Sequence, residues 1–380
     1  MATKVKLDVK EGDLLASLKG FFNDLLGMED VSALLVPRRL PMKAMVMPTL
    51  ISDPKDLEGA DPLAPAFPMN TAKVVSKLSR KPFGGRVAVV LRPCEIRALV
   101  ELVKLKQARL DELLVIGVDC LGAYQNKDYL RFVGEDAAET TRRFAAQVLS
   151  GKGAAMDGVD LASACQVCEH PVPEWADLSI GLIGVDVDRE ILLEGRSPKG
   201  EEILGRLAYP ETPVSVKRKA AVESLVTERA SARDRMFEAT RNATDSLEKL
   251  TTYFAGCVNC YNCRVACPVC YCKECVFLTD VFNHEPAQYM AWARRKGAIK
   301  LPTDTVFYHL TRLAHMSTAC VGCGQCTNAC PNDIPVMEVF RTIAHDTQGA
   351  FDVLAGRDPA EAPPLSAFRE AEFQEVVGIH

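Results

Sequence analysis

The chain has 380 residues, 48% of them hydrophobic, enough for a sizeable core and for division into two or three domains. A formal net charge of −5 and a pI near 5.8 argue against nucleic acid or an anionic membrane surface as partner. No apolar run approaches the roughly 18–20 residues of a membrane span, and the charged opening MATKVKLDVKEGDLL lacks a signal peptide's apolar stretch, so a cytoplasmic protein is expected.

Residues 1–210 read as an α/β domain. The runs 31–37 (VSALLVP), Arg86–Leu91 (RVAVVL) and Leu113–Val118 (LLVIGV) are apolar and β-branched, as buried strands are. Residues 94–106 place apolar side chains at helical spacing, 135–150 read as a helix, and 177–187 as a strand and turn. This alternation predicts a mixed, partly parallel sheet with flanking helices. Residues 38–70, rich in Pro and Met, read as a loop-dominated insertion. Residues 211–255 read as a helical connector, since 217–254 are charged, Ala-rich and free of Gly and Pro; a solvated surface helix accounts for that composition. A mainly helical, cysteine-rich part follows at 256–350, with helical stretches at 286–296 and 304–316. The Ala/Pro/Glu-rich tail, 351–380, is expected to be poorly ordered.

Eleven of the fifteen cysteines lie between Cys257 and Cys330. Clustered thiols in a reducing compartment are metal ligands more readily than disulfides. Cys257-x2-Cys260-x2-Cys263-x3-Cys267-Pro268 and Cys320-x2-Cys323-x2-Cys326-x3-Cys330-Pro331 each repeat the C-x2-C-x2-C-x3-C-P run of bacterial-type ferredoxins. Three thiolates two residues apart wrap one corner of a cubane, and the fourth points away toward the other cluster. One 4Fe–4S cluster is therefore expected on Cys257, Cys260, Cys263 and Cys330, and a second on Cys320, Cys323, Cys326 and Cys267. Zinc knuckles use pairs of C-x2-C instead. Gly322 and Gly324 are expected to let backbone amides approach sulfur, and Pro268 and Pro331 to end the ligand loops. Cys270, Cys272 and Cys275 are surplus to these sets; packed thiols, alternative ligands and a separate site remain open for them, with non-ligand roles favoured. The 53-residue separation of Cys267 from Cys320, helical in pattern, resembles the α-helical ferredoxin modules of heterodisulfide reductase small subunits and succinate dehydrogenase iron–sulfur subunits.

Cys94, Cys120, Cys165 and Cys168 remain. Each alone is compatible with a buried thiol, but their settings lie at strand ends, where α/β folds place cofactors. Pro93-Cys94-Glu95-Ile96-Arg97-Ala98-Leu99, then Cys120-Leu121-Gly122, then Cys165-x2-Cys168 followed by ADLSIG (176–181), resemble in order the coenzyme F-420 hydrogenase/dehydrogenase beta subunit family. The resemblance implies that these four cysteines hold a third 4Fe–4S cluster and that the domain binds FAD. The chain departs from many members in carrying its ferredoxin motifs after this domain, and in a Leu91-Arg92-Pro93 turn where Gly-x-Pro is commoner. It has no GxGxxG run, so FAD enters through the resemblance alone.

The expected function is an iron–sulfur oxidoreductase subunit. A flavin converts a hydride from a two-electron carrier, deazaflavin or nicotinamide, into single electrons for a redox partner of heterodisulfide-reductase-like, hydrogenase or formate dehydrogenase type. A flavin-free wire between larger subunits is the alternative. No acid–base pair stands out, so catalytic residues stay unassigned. His170, His284, His309, His315, His345 and His380 read as structural, with His170, beside Cys168, the one worth testing.

Overall fold

The computed structural model describes residues 3–41, 45–134, 136–213 and 216–366. Among these, the strands β1 (Lys4–Asp8), β2 (Val31–Arg39), β3 (Val46–Ile51), β4 (Arg86–Leu91), β5 (Leu113–Val118), β6 (Leu178–Gly181) and β7 (Glu190–Gly195) form one sheet in the order β1-β7-β6-β5-β4-β2-β3. The centre, β2-β4-β5-β6, is parallel, and β3, β7 and β1 extend it antiparallel. Every residue of β5 is buried, the continuous apolar run of a strand covered on both faces. The pleat sends Val90, Leu114 and Ile116 against Phe21, Phe22 and Ile203 of helices Leu14–Leu26 and Pro198–Leu207. It sends Val87, Val89 and Val115 to the other face, against Val75, Ile96 and Leu99 of helices Ala72–Leu78 and Pro93–Lys104.

The helix expected at 135–150 spans Ala137–Leu149, because Asp136 caps it by accepting from Ala138 N and Glu139 N; Glu135 lies outside the described residues. Residues 38–70 hold more regular structure than their composition suggests. Strand β3 pairs with β2 from Val46–Arg39 to Ile51–Leu34, and Pro54–Gly59 forms a 3-10 helix. Pro48 is tolerated because β3 is the sheet edge. Residues 42–44 lie outside the described residues.

The connector is two helices, Val216–Thr244 and Leu247–Tyr253, the second capped by the Ser246 hydroxyl accepting from Lys249 N. It is not merely a solvated helix: Arg218, Arg229, Phe237 and Thr240 are buried. Arg218 meets Asp119 through Nη1 (2.5 Å) and Nη2 (3.1 Å), and Asp119 also accepts from Leu182 N and Ile183 N. Helix Val336–Ala350 packs beside it, with Phe237 and His345 rings 4.9 Å apart. Phe254, Leu313, Ile334, Val339 and Phe340 form a small core into which Cys257, Cys267, Cys320, Cys326 and Cys330 pack. The start of the tail, expected to be poorly ordered, lies on the α/β part: Arg97 Nε donates to Ala355 O (3.0 Å), Gly356 N to Glu101 Oε1 (2.7 Å), and Lys104 pairs with Glu361 (3.3 Å). Residues 367–380 lie outside the described residues. Among the described residues no helix is long and apolar enough to cross a membrane.

Replacing Arg218 by Met leaves the fully buried Asp119 carboxylate without its cation. We expect a loss of about 3–5 kcal/mol in anaerobic chemical denaturation followed by circular dichroism; unchanged stability would show that the pair holds nothing together.

Candidate metal centres

The chain leaves β4 through Arg92-Pro93-Cys94 and β5 through Asp119-Cys120, both at the carboxyl edge of the parallel strands. A pocket there, about 430 Å³ with open solvent included, is lined by Cys94, Cys120, Cys165 and Cys168 together with Phe67, Arg92, His170, Arg229 and Cys323. Burial, reinforced by the neighbouring thiols, pushes Cys94 well above the ordinary thiol range and Cys165 up to about 12. Gly122 N and Ala123 N donate to the Cys120 and Cys165 sulfurs. Gly122 has φ +104°, and a Cβ there would lie 2.5 Å from Leu161, so glycine is what lets that turn close. Arg92 donates Nη2 to Ala64 O (2.7 Å) and Ala66 O (2.8 Å), while its buried Nη1 has no partner. Arg229 reaches the same pocket from the connector, with Nη1 3.5 Å from Cys168 O.

A second pocket, about 340 Å³ measured the same way, is lined by Cys257, Cys260 and Cys263 of the first motif and by Cys330, the last cysteine of the second. Left-handed Asn259 and Tyr261 (φ 50° and 61°) bend the loop around it. One helix, Thr305–Met316, supplies three polar side chains on one face: Tyr308 OH lies 3.3 Å and Arg312 Nη1 3.2 Å from Cys263 Sγ, and His309 Nε2 lies 3.4 Å from Cys257 Sγ. Burial, then Arg312 and Lys300, push His309 down to about 3, so the ring is neutral; it stacks on Phe254 at 3.9 Å.

Cys267, the last cysteine of the first motif, lies among Cys320, Cys323 and Cys326. After burial it is the foremost influence raising Cys320 and Cys323, and it also raises Cys326. Gly322 N donates to Cys320 and Gln325 N to Cys323. A Cβ on Gly324, at its φ of +77°, would lie 2.4 Å from Ala164 Cβ, so this glycine allows the two parts of the chain to close on each other. Gln325 Nε2 (2.8 Å) and Asn328 Nδ2 (2.9 Å) donate to Phe67 O across the same seam.

Among the described residues no three His, Cys, Asp or Glu side chains converge closely enough to share a single ion. Of the surplus cysteines, Cys272 is exposed, Cys270 lies beside Cys267 with its thiol pushed to about 11, by burial foremost, and Cys275 packs with Cys263, Phe277 and Tyr308. His170 lines the α/β pocket, its Nδ1 2.9 Å from Glu174 Oε1. The sequence reading missed Arg92, Arg229, Tyr308, His309 and Arg312. For the last three, the available signal was polar residues at i, i+1 and i+4 on the otherwise apolar face of an amphipathic helix.

Residues 84–210 match the family model for the C terminus of the coenzyme F420 hydrogenase/dehydrogenase beta subunit, and residues 253–334 match a 4Fe–4S dicluster domain. Over residues 84–210 the chain is similar to the coenzyme F420 hydrogenase/dehydrogenase beta subunit family. The chain is 27% identical over 348 residues to F420-dependent formate dehydrogenase subunit beta of Methanocaldococcus jannaschii, covering 84% of this chain and 85% of that one. It is 26% identical over 383 residues to F420-dependent formate dehydrogenase 1 subunit beta of Methanococcus maripaludis, covering 94% of each. A chain of the F420-reducing NiFe hydrogenase complex from Methanosarcina barkeri superposes on 65% of this chain and 94% of its own, with a TM-score of 0.46 and 16% identity. Together the two matched domains make this an iron–sulfur oxidoreductase subunit.

The donor sets suit the family's iron: soft thiols, largely buried, with amide, guanidinium and imidazole groups near sulfur. At the start of helix Pro93–Lys104, Glu95 accepts from Arg92 N (2.9 Å) and Thr71 N (2.7 Å), which fixes the turn that carries Cys94.

The crossing of the last cysteines makes a specific prediction. Cys330→Ala and Cys257→Ala should remove the same cluster, and Cys267→Ala and Cys320→Ala the other, each at a loss of about four irons. Iron analysis with electron paramagnetic resonance of the anaerobic proteins checks this; matching residual spectra for Cys330→Ala and Cys320→Ala would refute the crossing.

Proposed function

We propose that this chain is the electron-conducting beta subunit of a formate dehydrogenase or hydrogenase-type complex, linking a hydride carrier to a redox partner subunit through three 4Fe–4S clusters. The reading rests on the gathering of twelve of the fifteen cysteines into three sets, with Cys323 of one set also lining the pocket of another. Cys257, Cys260, Cys263 and Cys330 hold the first cluster, Cys320, Cys323, Cys326 and Cys267 the second, and Cys94, Cys120, Cys165 and Cys168 the third. Bound in these sets, 4Fe–4S clusters take up and release one electron at a time.

The chain's own residues ligate, bury and tune. Arg312, beside Cys263, and Arg92 and Arg229, beside the third set, favour the extra negative charge of the reduced state and so raise the potential. Residues 1–210 form the hydride-carrier side and 256–350 the ferredoxin side, with 211–255 as the strap between them and 351–380 as the tail. Deazaflavin is the first carrier to test, because the full-length relatives are named as F420-dependent; nicotinamide is the second. A flavin on residues 1–210 would split the hydride into single electrons; the alternative is a flavin-free wire, in which hydride is split on a neighbouring subunit.

Anaerobic purification with iron, sulfide and flavin counts tests the whole reading. About twelve irons are expected, and about eight would remove the third cluster. One FAD per chain would put hydride splitting on this subunit, and none would leave the wire. If the chain carries FAD, reduced deazaflavin and not NADH should bleach its visible absorbance; a flavin-free chain should be bleached by reduced deazaflavin only with the hydride-splitting subunit present.

A further inference from the structure

We propose that residues 276–301, between the two cysteine motifs, are the docking surface for a redox partner subunit that presents an acidic-rimmed apolar face over Cys260. The proposal rests on the reading of Cys257, Cys260, Cys263 and Cys330 as a cluster site.

Helix Pro286–Lys296 has no buried residue. An eleven-residue helix is marginal by itself in water, and most helices are held by packing of one face. The neighbouring helix Thr305–Met316 does bury such a face. Around the uncovered helix, Met290 (55%), Leu278 (55%), Val281 (62%) and Leu301 (60%) stand exposed. Scattered exposed apolar residues need no explanation, but here Met290 on a helix that buries nothing is accompanied by Leu278 and Val281 before it and Leu301 after it, all exposed within one segment.

The segment is rooted on the cluster site at both ends. Phe277 packs edge-on against Tyr308 at 4.9 Å, whose hydroxyl meets Cys263, and Lys300 Nζ donates to Cys257 O (2.7 Å). Among the cysteines of the three sets, Cys260 is the exposed one, with Val258 beside it also exposed. A partner seated on this segment therefore meets the most accessible edge of the cysteine sites.

Charge selects the partner. Residues 276–301 carry four Lys/Arg against two Asp/Glu in a chain of net charge −5, and Arg294, Arg295 and Lys296 fill the helix's last turn. An acidic rim is attracted to this surface, whereas a second copy of the chain brings the same basic rim and is repelled.

The test uses the iron-loaded chain co-expressed with the formate-oxidising subunit of the proposed complex. Val281→Asp with Met290→Asp, and separately Arg294→Glu with Arg295→Glu, should each weaken association about tenfold and slow electron delivery to match. The charge reversal should lose more at low salt than at high salt. Iron content and reduction by dithionite should not change, and hydrogen exchange across 276–301 should slow when the partner binds. Undiminished association with unprotected exchange, or self-association of the chain that the same variants abolish, would overturn the proposal. A wild-type chain without iron would instead sink the cluster reading beneath it.

Discussion

Arg312 is a guanidinium placed where a guanidinium should not rest unless negative charge surrounds it. It is 4% exposed, and no carboxylate among the described residues pairs with it. Its nearest groups are Cys263, whose sulfur and carbonyl it contacts at 3.2 and 3.3 Å, and the rings of Phe340 and Tyr308. Burial works against its charge, and Cys263, Cys267, Tyr308 and Cys326 restore it. Leaving one buried charge unpaired costs several kcal/mol, so this side chain belongs with thiolates rather than thiols. Thiolates in turn need a cation they can share, which iron provides. Cysteines make up much of what packs into that small core, so the residues that would hold metal are also residues that hold this part together.

The second constraint is relative position. Electron transfer between sites needs them held close, and several ties cross the seam between the two parts. Glu169, next to Cys168, pairs with Arg233 of the connector and with Arg341 of helix Val336–Ala350. Burial opposes its charge, and Arg341 foremost holds the carboxyl down to about 2. Arg97 donates to Val321 O (3.3 Å) beside Cys320 as well as to the tail. The connector thus does more than span a distance: Arg218, Arg229 and Arg233 tie it to the α/β part, and Phe237 and Arg241, against His345 and Asp346, tie it to helix Val336–Ala350.

What the sequence discloses is what depends on neighbours in sequence. The spacing of three cysteines is local, and strands β4 and β5 are continuous apolar runs, so both are legible. The set Cys94, Cys120, Cys165 and Cys168 spans three loops, and only likeness to a family suggested that they meet. Arg92, Arg229, His309 and Arg312 could not be read as site residues, because what distinguishes them is a partner far along the chain. The connector misled for a related reason. Two of its four buried positions are Arg218 and Arg229, and a pattern of apolar residues at helical period does not register a face that buries charge. The tail misled because its composition signals disorder, while Ala355 and Gly356 are small enough to lie flat against Arg97, where a Cβ at Gly356 would come within 2.3 Å.

The long spacer between the motifs is explained by what its two sides do. A short ferredoxin hairpin closes two clusters against each other with little chain to spare. Here 52 residues separate Cys267 from Cys320, and they include an inner helix, Thr305–Met316, and an outer segment, 276–301. The inner helix turns Tyr308, His309 and Arg312 toward sulfur. The outer segment turns its apolar residues and its Arg294-Arg295-Lys296 cluster to solvent. Phe277 against Tyr308 joins the two. A change on the inner face acts on the electronic environment of the thiols, whereas a change on the outer face leaves that environment alone and acts on what can approach it. On the proposed reading, setting a potential and choosing a partner fall to separable residues of one insertion.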